Sequence, residues 1–70
     1  MRTHYYRITI VGGLGEIGRE AFGDFRIESD GRDTVLAAEM DQAALLGAVN
    51  RIMALGIELA ELRRLPDGMS

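Results

Sequence analysis

The sequence predicts one small α+β domain, residues 1–70, on the ferredoxin-like or ACT-like plan β-α-β-β-α-β. The expected form has a short first helix and a four-stranded antiparallel sheet. Three observations lead there. Strand-like runs rich in β-branched, aromatic and aliphatic residues occur at "HYYRITIV", "FRIES", "TVLAAEM" and "IELAELRRL". The pair Asp30-Gly31 stands between the second and third of these, and Asp-Gly is hairpin chemistry. A single apolar stripe at helical spacing separates the third run from the fourth. Two β-α-β units joined this way form an antiparallel sheet with both helices on one face. If the glycine segment after the first strand is not helical, the order becomes β-β-β-α-β.

Each element has its own signal. In "HYYRITIV", Tyr6, Ile8 and Ile10 share the parity expected to be buried, opposite Tyr5, Arg7, Thr9 and Val11. "GGLGEIGREAFG" follows, and its glycines allow only a short helix, roughly 16–22, because an interior glycine costs about 1 kcal/mol against alanine. Ile17, Ala21 and Phe22 are its expected inward residues. Asp41 is a good N-cap for "QAALLGAVNRIMAL", where Leu45, Leu46, Val49, Ile52, Met53 and Gly56 follow the i, i+3, i+4, i+7 rhythm. Gly56 suits a left-handed helix end. In the last strand Ala60 and Leu62 fall on one parity, and Leu59, Glu61, Arg63 and Leu65 on the other; Pro66-Asp67-Gly68 ends the fold.

Composition narrows the function. Hydrophobic residues make up 47% of the chain and the mean hydropathy is +0.02, a globular balance. Without cysteine there is no disulfide framework or thiolate metal site, and one histidine, His4, excludes a site needing two. A net charge of −3 argues against a nucleic-acid surface, which needs excess positive charge against phosphate. All eight basic residues are arginines, suited to planar contacts with carboxylate or phosphate. No secretion signal is recognisable and no run reaches the ~18 apolar residues of a spanning helix, so a cytoplasmic, membrane-independent protein is expected. A core this small supplies only a few kcal/mol, and such domains commonly add burial by self-association. A homodimer is the expected state.

Gly13-Leu14-Gly15, Asp30-Gly31, "DQAAL" at 41–45, Leu55-Gly56 and Arg63-Arg64 together resemble a group of short bacterial proteins common in actinobacteria. These combine a glycine-leucine-glycine turn, an aspartate-glycine hairpin and a helix running from "DQAAL" to "LG". The group is uncharacterised, so the resemblance implies a compact stand-alone domain and no activity. Many of its members carry histidine where this chain has Leu46. "GGLGEIG" is also similar to a stretch near the start of the β-CASP ribonucleases that resemble ribonuclease J. Their zinc chemistry needs a histidine- and aspartate-rich motif that this sequence lacks.

Two candidate sites emerge. Gly13-Leu14-Gly15-Glu16-Ile17-Gly18 spells G-x-G-x-x-G after a strand, the form of a dinucleotide turn. A dinucleotide fold needs several parallel strands, which 70 residues cannot supply, so no cofactor is expected. A smaller anion on the amides of Gly13, Gly15, Glu16 and Ile17 is the surviving functional idea. The second candidate is the sheet face away from the helices. Tyr5, Arg7, Thr9, Val11, Arg26, Leu59, Glu61 and Arg63 are assigned to it as a dimer face or a pocket for an acidic small molecule. His4, Tyr5 and Tyr6 are the only thin candidates for catalysis, no nucleophile–base order is recognisable, and no catalytic or metal-binding residue is assigned. The expected function is a non-catalytic, self-associating interaction or regulatory module. Its alternatives are an anion binder or a minimal enzyme with an intersubunit site.

Overall fold

A computed structural model describes residues 2–66. The elements run β1 (His4–Ile10), α1 (Gly15–Ala21), β2 (Arg26–Asp30), β3 (Asp33–Met40), α2 (Gln42–Ala54) and β4 (Leu59–Arg64). They form one four-stranded sheet in the order β2-β3-β1-β4, every neighbouring pair antiparallel. The glycine segment is therefore helical, and the β-β-β-α-β alternative is set aside. Each helix crosses over a central strand: α1 carries the chain past β3 and α2 carries it past β1. Asp67 and Gly68, expected to end the fold, lie outside the described residues.

The hairpin between β2 and β3 closes as its sequence dictates. Asp30 pairs with Asp33, which leaves Gly31 and Arg32 as a two-residue loop. Only Gly31 has positive φ (65°), the pattern of a type II′ turn.

Helix α2 is defined at both ends. The Asp41 carboxylate accepts a 2.8 Å hydrogen bond from the Ala44 amide, while its own backbone is extended (φ −84°, ψ 176°). At the other end Ile57 donates to the Ile52 carbonyl and Gly56 to that of Met53, both at 3.0 Å, the paired bonds of a Schellman motif. Losing the first of these caps has a measurable consequence. Asp41→Ala is expected to lower stability by about 1 kcal/mol and the melting temperature by about 4–8 °C, whereas Asp41→Asn, which keeps an accepting oxygen, stays close to the parent. Thermal unfolding followed by circular dichroism reads both.

The core lies between the helices and one sheet face. It joins Tyr6, Ile8, Ile10, Leu36 and Met40 to Leu45, Ala48, Ile52 and Phe22. Two sequence expectations need correction. Leu46 and Met53, assigned to the apolar stripe of α2, are exposed, because the sheet contacts only the line Leu45, Ala48, Ile52 and each outlier sits about 100° round the helix from that line. Ile17, expected inward, is 74% exposed. Its neighbour Gly18 is the buried residue of α1, and Leu14 folds back against it. The large buried group at this end is Phe22, just past the helix.

One interaction ties the two helical segments together. The Arg51 guanidinium of α2 lies 5.0 Å from the Phe22 ring centre and 5.8 Å from that of Phe25. It also donates from Nη1 to the Ala21 carbonyl at the end of α1. The two rings meet edge to face at 5.5 Å. A cation over aromatic faces, beside the carbonyls of a helix C-terminus, satisfies both partners electrostatically.

Candidate functional site

The glycine turn is explained first by backbone and packing. β1 leaves the sheet at Gly12, where the Thr34 hydroxyl donates to the Gly12 carbonyl at 2.7 Å and the Asp33 carboxylate accepts from its amide at 3.3 Å. The segment is thereby moored to the start of β3. Within G-x-G-x-x-G, Gly15 takes φ 71°, which strains any side-chain-bearing residue. A Cβ on Gly18 would come within 2.8 Å of Leu14 Cδ2. Gly13, Gly15, Glu16 and Ile17 are all exposed. However, α1 has only seven residues, its N-cap Leu14 offers no side-chain cap, and Glu16 already supplies a negative charge to the first turn.

The open sheet face is more informative, because register places its residues in rows across all four strands. One row reads Arg26, Ala37, Arg7, Arg63 from β2 to β4. The adjacent row reads Glu28, Val35, Thr9, Glu61. A third contains Glu39 and Tyr5, and Leu65 continues the β4 side by donating to the Tyr5 carbonyl at 2.9 Å. Val11 stands exposed just past β1, its amide bonded to the Glu58 carbonyl at 2.9 Å. Neither described helix packs on this side. Val35 and Ala37 are nonetheless only 1% and 6% exposed.

The charges on this face are arranged by row. Two ion pairs run along the strands, Arg26–Glu28 at 3.0 Å and Arg63–Glu61 at 3.9 Å, and all four side chains are well exposed. Exposed pairs of this kind contribute about 0–1 kcal/mol. Arg7 is half-buried and sits directly opposite Arg63, and like charges in that relation are destabilising. An arginine row across a sheet is therefore weakly compensated within one chain.

Of the residues assigned to this face, Tyr5, Arg7, Thr9, Val11, Arg26, Glu61 and Arg63 share it, and Leu59 does not. A β-bulge lets Thr9 face Glu61 while Ile10 faces Leu59, so Ala60 is the extra residue. The bulge reverses the parity upstream of Glu61 and turns Leu59 to the side of the buried Ile10. Glu28, Val35, Ala37 and Glu39 share the face and were not assigned to it. The parity of "FRIES" carries the signal for Glu28, but the continuous aliphatic run Val35-Leu36-Ala37-Ala38 hides the alternation in β3.

On the helix side the β4 flank is uncovered. Leu59 and Leu62 are exposed there, and a groove of about 220 Å³ is lined by Leu14, Ile17, Gly18, Leu55 and Ile57. His4 and Tyr6 meet edge to face at 6.3 Å on this side of the sheet, whereas Tyr5 points to the other, so the three thin catalytic candidates do not converge. Among the described residues no set of three or more His, Asp or Glu side chains is placed to hold a metal ion. Nor is any described helix long and apolar enough to cross a membrane.

The profile of the family described as "Domain of unknown function (DUF8691)" matches residues 5–63. The chain belongs to the DUF8691 family. The match takes in the glycine turn, the hairpin and both rows of the open face, from Tyr5 to Arg63. No curated protein and no solved structure matches this DUF8691 chain.

Proposed function

We propose that this DUF8691 chain is a non-catalytic interaction or regulatory module, ferredoxin-like or ACT-like in plan, that works as a homodimer joined through its open sheet face. The observation carrying this reading is the self-complementarity of adjacent rows. A two-fold axis lying in the interface, perpendicular to the strands and between the two rows, sets each row of one copy on the other row of its partner. Arg26 then meets Glu28 across the interface and Arg63 meets Glu61, with Ala37 against Val35 at the centre. Arg7 comes within one strand spacing of the partner subunit's Glu61, which offsets its repulsion with Arg63. The alternative two-fold, parallel to the strands, sets arginine row on arginine row. Charge pattern thus selects one geometry, as complementary potentials do at interfaces generally. Stacked sheets pack about 10 Å apart, a distance these long side chains span.

Sedimentation equilibrium of the purified chain and of Arg63→Glu tests this reading. The substitution is on an exposed position and leaves the fold intact, but it replaces two symmetry-related attractions with repulsions. The dimer dissociation constant is expected to rise at least tenfold, equivalent to about 1.4 kcal/mol. A parent chain that stays monomeric at about 100 µM, a concentration that only an association weaker than this would escape, or an Arg63→Glu chain that associates unchanged, overturns the proposal. Leu62→Glu is the parallel control: dissociation by that change alone assigns the contact to the apolar β4 flank instead.

A further inference from the structure

The start of α1 and the end of α2 converge on the groove of about 220 Å³ lined by Leu14, Ile17, Gly18, Leu55 and Ile57. Its inner walls are fixed before any partner arrives. Leu14 and Ile57 pack on the core, Leu14 closes against Gly18, and the Schellman bonds hold the α2 side. Its rim is left open: Leu55 is exposed, and Ile17, at 74%, is the most exposed of the large hydrophobic residues. The volume falls below the range of about 300–1,000 Å³ for small-molecule sites, and no lining residue has a polar side chain to orient a ligand. A groove of this kind suits an apolar side chain offered by a partner protein. Charge around it is one-sided. Glu16 precedes Ile17 on α1 and Glu20, three residues on, is its surface neighbour, whereas Arg19 lies about 160° round the helix. On the other wall Glu58 follows Ile57. Arg51, one turn before Leu55, is engaged with Phe22, Phe25 and the Ala21 carbonyl. All three glutamates are exposed, and among the described residues none makes a side-chain hydrogen bond or ion pair.

We propose that this groove docks a basic amphipathic helix of a partner protein, an aliphatic side chain filling it and flanking lysine or arginine meeting Glu16 and Glu20. Laying an apolar helix face into a groove is a general mode of recognition. Here the anchor covers Ile17 and Leu55, the two apolar side chains that the fold leaves in water at this end. Complementary charge guides the approach and fixes the orientation. The same charge argues against a second copy as the occupant, because a chain of net charge −3 brings further acid to an acidic rim. The groove is on the opposite side of the sheet from the proposed dimer face, so either proposal can fail without the other.

The test is titration of the full chain, followed by amide chemical shifts, with three synthetic peptides of helical pattern: leucine with lysine, leucine with glutamate, and alanine with lysine. The leucine–lysine peptide is expected to move the Ile17, Gly18 and Leu55 signals and to bind about tenfold or more tightly than either of the others. Ile17→Ser, at an exposed position, is expected to weaken that binding about tenfold while the melting temperature holds. Glu16→Gln combined with Glu20→Gln is expected to weaken it and to flatten its dependence on salt. Leu62→Ser, on the β4 flank, leaves it unchanged. Groove signals that stay in place, equal binding by either control peptide, or full binding by Ile17→Ser overturns the proposal. So does loss of the chain's own association in Ile17→Ser, which assigns the groove to a second copy.

Discussion

Phe22→Ala is expected to remove about 3–5 kcal/mol of stability, a large part of what a chain of 70 residues holds at about 0.05–0.15 kcal/mol per residue. The size follows from position. Phe22 is fully buried, and it is the one large fully buried side chain between the first strand and the second. Helix α1 itself buries only Gly18, which has no side chain to contribute. The attachment of the whole α1 segment to the core thus depends on one ring at its C-cap. Removing that ring also strips Arg51 of its nearer aromatic partner and Phe25 of its edge-to-face contact. Urea unfolding measures the effect. A loss below about 1.5 kcal/mol would contradict this picture of how α1 is held, and Phe22→Leu, which keeps much of the volume, is expected to fall between the two.

Several parts of this architecture are legible in the sequence, for identifiable reasons. The β1 alternation, the Asp30-Gly31 hairpin, the Asp41 cap and the Gly56 helix end each rest on local chemistry with one dominant solution, and each is found in place. What escaped was set by packing between segments. Ile17 has the character of a core residue, but a two-turn helix has room for one inward line, and the Gly18–Leu14 contact claims it. Leu59 follows the parity of Glu61 in sequence, and a single bulge opposite Ile10 reverses it. Arg51 gives no sign in sequence of its place over two rings, because Phe22 and Phe25 lie about thirty residues away. The rows of the open face needed register, which pairs Arg26 with Ala37 and Ala37 with Arg7 and cannot be read one strand at a time. For the G-x-G-x-x-G spelling, the structure supplies reasons in backbone and packing: a positive φ at Gly15 and a close approach at Gly18.

The second large effect concerns association, and it follows from the row-on-row geometry alone. Arg63→Glu leaves a chain with acidic residues at both 61 and 63; Glu61→Arg leaves one with basic residues at both. Across the proposed two-fold axis each variant faces its own charge, so each is expected to self-associate at least tenfold more weakly than the parent, about 1.4 kcal/mol or more. Mixed together, they restore attraction at both symmetry-related positions, because the acidic pair of one chain meets the basic pair of the other. Neither substitution touches the core, since both positions are exposed. Specificity of this kind, built from repulsion in the unwanted pairs, is the general behaviour of charge-patterned interfaces. The most direct measurement is therefore sedimentation velocity on the two variants, separately and in equal mixture. The row-on-row dimer predicts monomers in each separate sample and dimers in the mixture. Dimers in the separate samples, or monomers in the mixture under conditions where the parent dimerises, would contradict it.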